Sequence, residues 1–340
     1  MPRVQYDSVT IEALEKDFIR IAYALFRNRQ PSSSILINDR RLRGWCGCSP
    51  TVIAKLWNLL ERFGNLKERS SKERLLWALH LLAAYPNKET GAAICKTDEK
   101  TFLTWAWYLI EEISYLEQYV VCMSPVCFVL CLYPLSHLLP QILWDNRKRN
   151  DIGNTCLASI DGADFRIKGT KLDSGDSDPR FFSYKFKAPG LRYMVALSIR
   201  TSDIVYLAGP YLPGVYNDLM IFRDCGIKDE MEQREKVEAD DGYKAECPAY
   251  TLVPGWHNTR TDQKKMKARV RMRHEHVNKR MKNFKCLLER FRSSPSKHSC
   301  CFRAVAIVTQ LSMETGEPMI DMREYDDRLT DLQVQQMFGI

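Results

Sequence analysis

The fold is decided by residues 155–165, which read TCLASIDGADF. Apolar and small residues fill this stretch up to Asp161 and predict a short strand that ends there, with Gly162 letting the backbone turn. Two β-rich runs follow, RYMVALSIR (192–200) and DIVYLAGPYL (203–212), on either side of a hairpin-type break. A helix (NDLMIFRDCGIKDEM) and two short strands (KVEAD and YTLVP) come next. Strands with acids at their ends and helices behind them predict an α/β domain with a mixed sheet.

The front of the chain has the helical period instead. Apolar residues three and four apart predict helices over 9–27 and 73–85, and Ser49 followed by Pro50 is typical of an N-cap and first helical turn. A short apolar piece at 91–95, a polar break and a helix from Thr101 give a helix-turn-helix outline. Plain packing of antiparallel helices is the alternative, with the aromatic side chains of the second helix in the core.

Composition excludes several classes of protein. The 340 residues carry 50 Lys and Arg against 42 Asp and Glu, and 45% of them are hydrophobic, which excludes a disordered or collagen-like chain. The 12 cysteines contain no Cys-x-x-Cys pair, and the six histidines lie at no zinc-finger spacing from them. No apolar signal-peptide core follows the first residues. We therefore interpret the cysteines as small buried residues in a reducing compartment rather than as disulfides or zinc ligands.

Four acids stand where the pattern puts functional groups: Asp161, Asp218, Asp240 and Glu275. Asp218 has an alternative role as a helix N-cap, and Glu275 as an ion-pair partner of Lys279 one turn later. Acids that directly end apolar strands meet at the carboxyl edge of a sheet, where open α/β sheets bind ligands. Carboxylates brought together there repel one another unless cations neutralise them, and oxygen ligands suit Mg²⁺ or Mn²⁺. Two such ions would support an in-line phosphoryl displacement.

The positive charge is concentrated in one segment. Residues 264–292 hold twelve Lys and Arg against two Glu, a net of +10, so the rest of the +8 chain sums to about −2. We predict one long helix here that flanks Glu275 with cations able to neutralise DNA phosphates without reading bases. A solvated surface is the alternative reading of such a run. The expected DNA-backbone contacts are Lys267, Arg269, Arg271, Arg273, Lys279, Arg280, Lys282 and Lys285.

Four motifs in order, SIDGADFRI, PGVYND, ADDGY and RMRHEHVNKRMKNF, make residues 155–320 resemble the DDE transposase domain of the PIF/Harbinger superfamily. The resemblance implies an RNase H-like fold, bound divalent metal, and cleavage and strand transfer at transposon ends. It implies that Asp161, Asp240 and Glu275 are the catalytic acids, and that all three bind metal together with Asp218. Asp240 is preferred over Asp241 because of the Asp-x-Gly-Tyr form. Ala163 departs from the Thr or His usual at its position, which is not an expected ligand.

The resemblance also divides the chain. It implies a helix-turn-helix-like DNA-binding region at 1–118, an apolar insertion and basic linker at 119–150, an RNase H-like nuclease domain at 151–323 with its last helix behind the sheet, and a tail at 324–340. The uncharged stretch 120–141 carries three prolines and is surplus to the resemblance, so a translated retained intron joins a buried irregular insertion and a membrane span as its explanations. We expect no membrane association.

Two function classes follow from these motifs. The first is an active metal-dependent DNA endonuclease or transposase, and the second is a catalytically silent transposase-derived DNA-binding protein. The first implies double-stranded DNA with transposon terminal repeats as substrate, a separate DNA-binding partner protein, a homo-oligomer and a nuclear location.

Overall fold

The computed structural model describes residues 5–120, 156–169, 175–199, 203–233, 235–253 and 272–316. The chain forms two compact units. The helical unit contains the described residues 5–120 and 280–316, and the sheet unit contains the described residues from 156 to 279.

Seven helices make up the first part of the helical unit, and two more return to it from the end of the chain. Each of the first six begins behind a side chain that accepts an N–H of the first turn, as Ser49 does from Val52 before Pro50, and this predicted N-cap is confirmed. The helices are α1 (Ser8–Phe26), α2 (Ile35–Cys46), α3 (Pro50–Phe63), α4 (Lys72–Ala84), α5 (Lys88–Ile94), α6 (Glu99–Tyr115) and α7 (Glu117–Val120). After the sheet come α8 (Asp218–Asp224), α9 (272–281), α10 (Lys285–Leu288) and α11 (Pro295–Glu314), of which α10 and α11 belong to the helical unit.

Helix α6 lies in the middle of the helical unit. It packs against α4, α5 and α11, and its Phe102 ring lies so close to Gly91 of α5 that a Cβ there would collide with it. Lys100 is the single Lys or Arg of α6, whose other charged residues are glutamates. This packing is that of a bundle helix, so DNA contact by the helix-turn-helix outline stays a prediction.

Helix α11 packs against α3, α6 and α7, within the helical unit. The resemblance places this helix behind the sheet, and that placement stays a prediction. Its apolar pattern predicts burial but does not say which partner covers it. The predicted domains divide the chain differently from the two compact units. They describe expected functions of segments and stay predictions.

The sheet has six strands: β1 (Cys156–Arg166), β2 (Phe182–Ser183), β3 (Ala188–Ser198), β4 (Ile204–Tyr211), β5 (Lys236–Glu238) and β6 (Thr251–Leu252). Strand β3 pairs antiparallel with β1, β2 and β4, whereas β5 is parallel to β1 and β6 is parallel to β5. The predicted α/β class with a mixed sheet is thereby confirmed. Side chains of Ile160 and Ala196 on one face of the sheet form a core with Phe222 of α8.

Two further expectations concern thiols and membranes. Eight cysteines within the described ranges are free thiols, and five of these eight are buried. Among the described residues, no helix is long and apolar enough to cross a bilayer. Residues 121–141, for which a membrane span, a buried insertion and a translated intron were considered, lie outside the described residues.

Candidate active site

The register of two parallel strands puts Asp161 and Asp240 side by side. Ser159 of β1 pairs with Glu238 of β5. Asp161 and Asp240 each lie two residues beyond this pair, so they stand side by side on the same face of the sheet. Asp161 does not end its strand as the sequence suggested. Strand β1 continues to Arg166 because its antiparallel partner β3 extends beyond the point where β5 stops. The site therefore lies where the β5 side of β1 becomes uncovered.

Asp218 reaches β1 from the opposite face. Asn217 is the N-cap of α8, and its side chain accepts the N–H of Met220 at 2.9 Å, which leaves the Asp218 carboxylate free of the capping role considered for it. That carboxylate lies against Gly162, where a Cβ would collide with its Oδ1. Since side chains at 161 and 162 point to opposite faces of a strand, Asp161 and Asp218 approach the same edge from two sides.

These carboxylates carry charge that the protein does not fully compensate. Burial, together with the negative charges of Asp218 and Asp240, raises the pKa of Asp161 to about 7. Burial likewise raises the pKa of Asp218, against the opposing effect of Arg192. The buried Oδ1 of Asp218 has no hydrogen-bond partner, although an Arg192 Nη1 lies 3.5 Å away. Repulsion and desolvation of this kind are relieved by a divalent cation.

The donor set fits a hard divalent cation in chemistry, because carboxylate oxygens are the ligands that Mg²⁺ and Mn²⁺ prefer. Among the residues that the structure describes, however, no three acidic, histidine or cysteine side chains lie close enough together to enclose one ion. The approach of Asp218 from the other face, together with carboxylate repulsion, accounts for this open arrangement.

Glu275 lies on α9, which is anchored to the two central strands by the residues just before it. Arg273 Nη1 donates to Glu238 Oε2 at 2.9 Å, and both side chains are buried. The ring of His274 is hydrogen-bonded to the backbone of Ser159 and is buried. Burial lowers the pKa of His274 to about 3, against the opposing effect of that hydrogen bond. Glu275 itself is exposed. Its membership of the acidic site stays a prediction from the sequence motif.

The expected DNA-backbone cations fall into several environments. The predicted DNA contact of Arg273 is corrected by the structure. Arg273 is 4% exposed and paired with Glu238, so it joins helix to sheet and does not face solvent. Lys279 and Lys285 are exposed, whereas Arg280 and Lys282 are partly buried. The other three, Lys267, Arg269 and Arg271, lie outside the described residues.

The predicted long helix over 264–292 is also corrected, since α9 ends at residue 281 and the short helix α10 begins at Lys285. Phe284, between them, is buried with its ring against Gly47 of the helical unit. The buried Phe284 side chain lies at the break between α9 and α10.

Sequence reasoning missed Arg192 and Tyr243, which lie beside the acids. Arg192 donates from Nε to Asp164 Oδ1 at 2.6 Å and from Nη2 to Asp164 Oδ2 at 3.0 Å, and its remaining nitrogen faces Asp218. The signal was there, because Arg192 is the one charged residue in an otherwise apolar strand. The hydroxyl of Tyr243 is buried without a hydrogen-bond partner, and the charges of Asp218, Asp161 and Asp240 add to burial in raising its pKa.

Comparison with known families gives one match. Residues 160–310 match the model of the DDE superfamily endonuclease. The match includes Asp161, Asp218, Asp240 and Glu275, and it supports a transposase-like nuclease, with DNA as substrate, at the level of the superfamily. No curated protein and no solved structure matches the chain.

Proposed function

We propose that this protein is a metal-dependent DNA endonuclease of the PIF/Harbinger type, which cleaves phosphodiester bonds at transposon ends and joins strands. The observation that carries the proposal is the convergence of Asp161, Asp218 and Asp240, from three separate segments, at the edge where β5 stops. Asp161 and Asp218 are half-buried carboxylates whose pKa values are raised by burial and by the charge of nearby carboxylates, Asp240 among them. Such groups are costly to fold, and a phosphoryl-transfer site explains the cost. An RNase H-like fold is part of the proposal, supported by a sheet in which antiparallel strands continue into parallel ones.

Each side chain has a role in this proposal. Asp161, Asp218, Asp240 and Glu275 are the residues that would hold Mg²⁺ or Mn²⁺. A pair of divalent ions bound there would supply activation of the attacking oxygen and stabilisation of the leaving oxygen of an in-line displacement. Arg192 opposes the effect of burial on the pKa of Asp218, and its guanidinium is oriented for this by the buried Asp164. The Asp161 carboxylate is fixed by the N–H of Gly162, which donates to its Oδ1 at 2.8 Å.

The proposal extends to the setting of the reaction. The substrate is double-stranded DNA with the inverted repeats of a transposon, bound by a homo-oligomer with a separate DNA-binding partner protein in the nucleus. Exposed cations beyond the acids, Lys279 among them, contact the DNA backbone.

The test is nicking of DNA that carries the inverted repeats flanking the gene, with purified full-length chain and Mg²⁺ or Mn²⁺. We expect metal-dependent nicking that is lost in Asp161→Ala and in Glu275→Ala. Nicking that both variants retain would refute the site. Tight DNA binding with no cleavage in any metal would favour the alternative, a catalytically silent transposase-derived DNA-binding protein.

A further inference from the structure

The turn between β2 and β3 presents aromatic rings and cations to solvent. Tyr184 is 80% exposed and Phe182 is 36% exposed, and their rings meet edge to face with centroids 5.2 Å apart. Lys185 and Lys187 follow directly and are also exposed. The two neighbouring rings form a small aromatic patch whose faces are open to a planar ligand.

Two hydrogen bonds hold this turn to the candidate site. The hydroxyl of Ser183 donates to Asp164 Oδ2 at 2.6 Å, and Asp164 is the carboxylate that orients Arg192. On the other side, the N–H of Gly214 donates to the carbonyl oxygen of Arg180 at 2.9 Å. Gly214 lies in the loop that leads to Asp218, and a Cβ there would collide with the chain ahead of β2.

The turn is therefore tied both to the strand that carries Asp161 and to the loop that carries Asp218. The N–H of Phe186 also donates to the carbonyl oxygen of Ser183 at 3.2 Å, which closes the turn on itself. An element fixed at so many points presents its exposed side chains in one arrangement, which lowers the entropy cost of binding.

Lys185 is close enough to the acids to act on them. Its positive charge lowers the pKa of both Asp161 and Asp218 against the effect of burial.

We propose that the turn 182–187 binds an unpaired stretch of the DNA substrate beside the acids, with a base stacked on Tyr184 and a phosphate held by Lys185. The inference rests on the proposed function and names the form of the DNA. An aromatic platform with a neighbouring cation is how proteins bind single strands, because every base has a face to stack and every nucleotide a phosphate. Bases in an intact duplex are already stacked on one another, so Tyr184 discriminates against a blunt duplex.

The test measures binding of the full-length chain, in EDTA, to a fluorescent duplex with a single-stranded tail and to the same duplex with blunt ends. We expect Tyr184→Ala to weaken binding of the tailed DNA by about tenfold and to spare the blunt DNA, whereas Tyr184→Phe keeps wild-type affinity. Lys185→Gln lowers the dependence of log affinity on log salt by about 1, and Lys185→Arg restores it. Tyr250→Ala and Lys297→Ala, on exposed positions outside both the turn and residues 1–118, are the matched controls and should bind normally.

Photocrosslinking gives a readout that does not depend on affinity. A tail containing 5-iododeoxyuridine should crosslink to Tyr184, located by mass spectrometry. The inference would be overturned if Tyr184→Ala lost the same affinity for tailed and for blunt DNA. It would also be overturned if both Tyr184→Ala and Lys185→Gln bound tailed DNA with wild-type affinity.

The two proposals fail in different ways. A wild-type chain that crosslinks its tail at Tyr184 but cuts no DNA refutes the nuclease and keeps the turn. A chain that cuts DNA while both turn variants bind tailed DNA as the wild type does refutes the turn and keeps the nuclease.

Discussion

The helical unit and the sheet unit bury different chemistry. Both units enclose aromatic rings, such as Phe102 in the helical unit and Phe222 in the sheet unit, but the one buried carboxylate of the helical unit in the described ranges is Glu112. The sheet unit encloses charge: Arg273 with Glu238, and Asp164 with the largely buried Arg192. Buried charge is tolerated when it is paired and hydrogen-bonded, but it adds little stability compared with apolar packing.

The difference separates stability from chemistry. The paired charges of the sheet unit surround three aspartates that are close to one another and only partly compensated. We infer that the helical unit mainly supplies folding stability, whereas the sheet unit holds a site whose negative charge is neutralised by a ligand. Four substitutions or titrations test that contrast, from the largest expected effect to the smallest.

Asp240→Asn should reduce metal-dependent cleavage by about 1000-fold, because a lost metal ligand removes several kcal/mol of transition-state stabilisation. Its neighbour Asp241→Asn is the matched control, one residue away and also exposed, and should keep most of the activity. Cleavage rates under single-turnover conditions provide the measurement. If Asp241→Asn is the inactive variant instead, the register-based assignment of the site is wrong.

Phe102→Ala should destabilise the helical unit by about 4 kcal/mol, since a fully buried ring leaves a cavity between α4, α5 and α6. The loss should be the same in low and high salt, because no charge is involved. Tyr115→Ala, on the exposed side of the same helix, should change the free energy of unfolding by less than about 0.5 kcal/mol. Denaturant unfolding measures both, and a marked salt dependence for Phe102→Ala would contradict the apolar account.

Arg273→Met should destabilise the sheet unit by about 3 kcal/mol, because it leaves Glu238 buried without its partner. The double variant Arg273→Met/Glu238→Met should recover most of that loss, since it buries two apolar chains in place of two charges. Hydrogen exchange of β1 and β5 reports the change locally. A double variant as unstable as the single one would show that the pair does more than compensate charge.

The metal-free protein should lose stability as the pH rises from about 4 to about 7. The folded chain keeps a proton on Asp161 up to about pH 7, whereas the unfolded chain loses it near the ordinary pKa, so deprotonation costs the folded state alone. The contribution is isolated by subtracting the profile of Asp161→Asn. At pH 8, Mg²⁺ at ten times its Kd should restore about 1.4 kcal/mol to the wild type only. A Mg²⁺ effect of the same size in Asp161→Asn would place the cation elsewhere.

The sequence predicts the helices and strands of this protein better than it predicts which distant segments they pack against. Helix caps such as Ser49 and the strand runs of 192–212 depend on neighbouring residues, and they form where local patterns predict them. The length of β1 depends on a distant partner, β3, and so Asp161 lies within a strand that seemed from the sequence to end there. The burial of Arg273 has the same cause, because its partner Glu238 is 35 residues away.

The candidate site divides in the same way. Motifs identified Asp161, Asp218 and Asp240, because acids after apolar runs are visible in one dimension. Arg192 and Lys185 were missed because their relation to the acids exists only once β3 has paired with β1 and the turn ahead of it has closed. The role of Glu275, the metal ions and the nuclear location stay predictions.

The interrupted order of the helical unit has a consequence for biosynthesis. Helices α4 and α6 are covered in part by α10 and α11, which the ribosome makes about 160 residues after α7. At about 5 to 20 residues per second, the nascent chain carries the uncovered apolar faces of the early helices for about 8 to 30 seconds while the sheet is still being made. A chaperone that holds apolar segments would find its binding site in this interval, and messages truncated before residue 280 would leave that site permanently open.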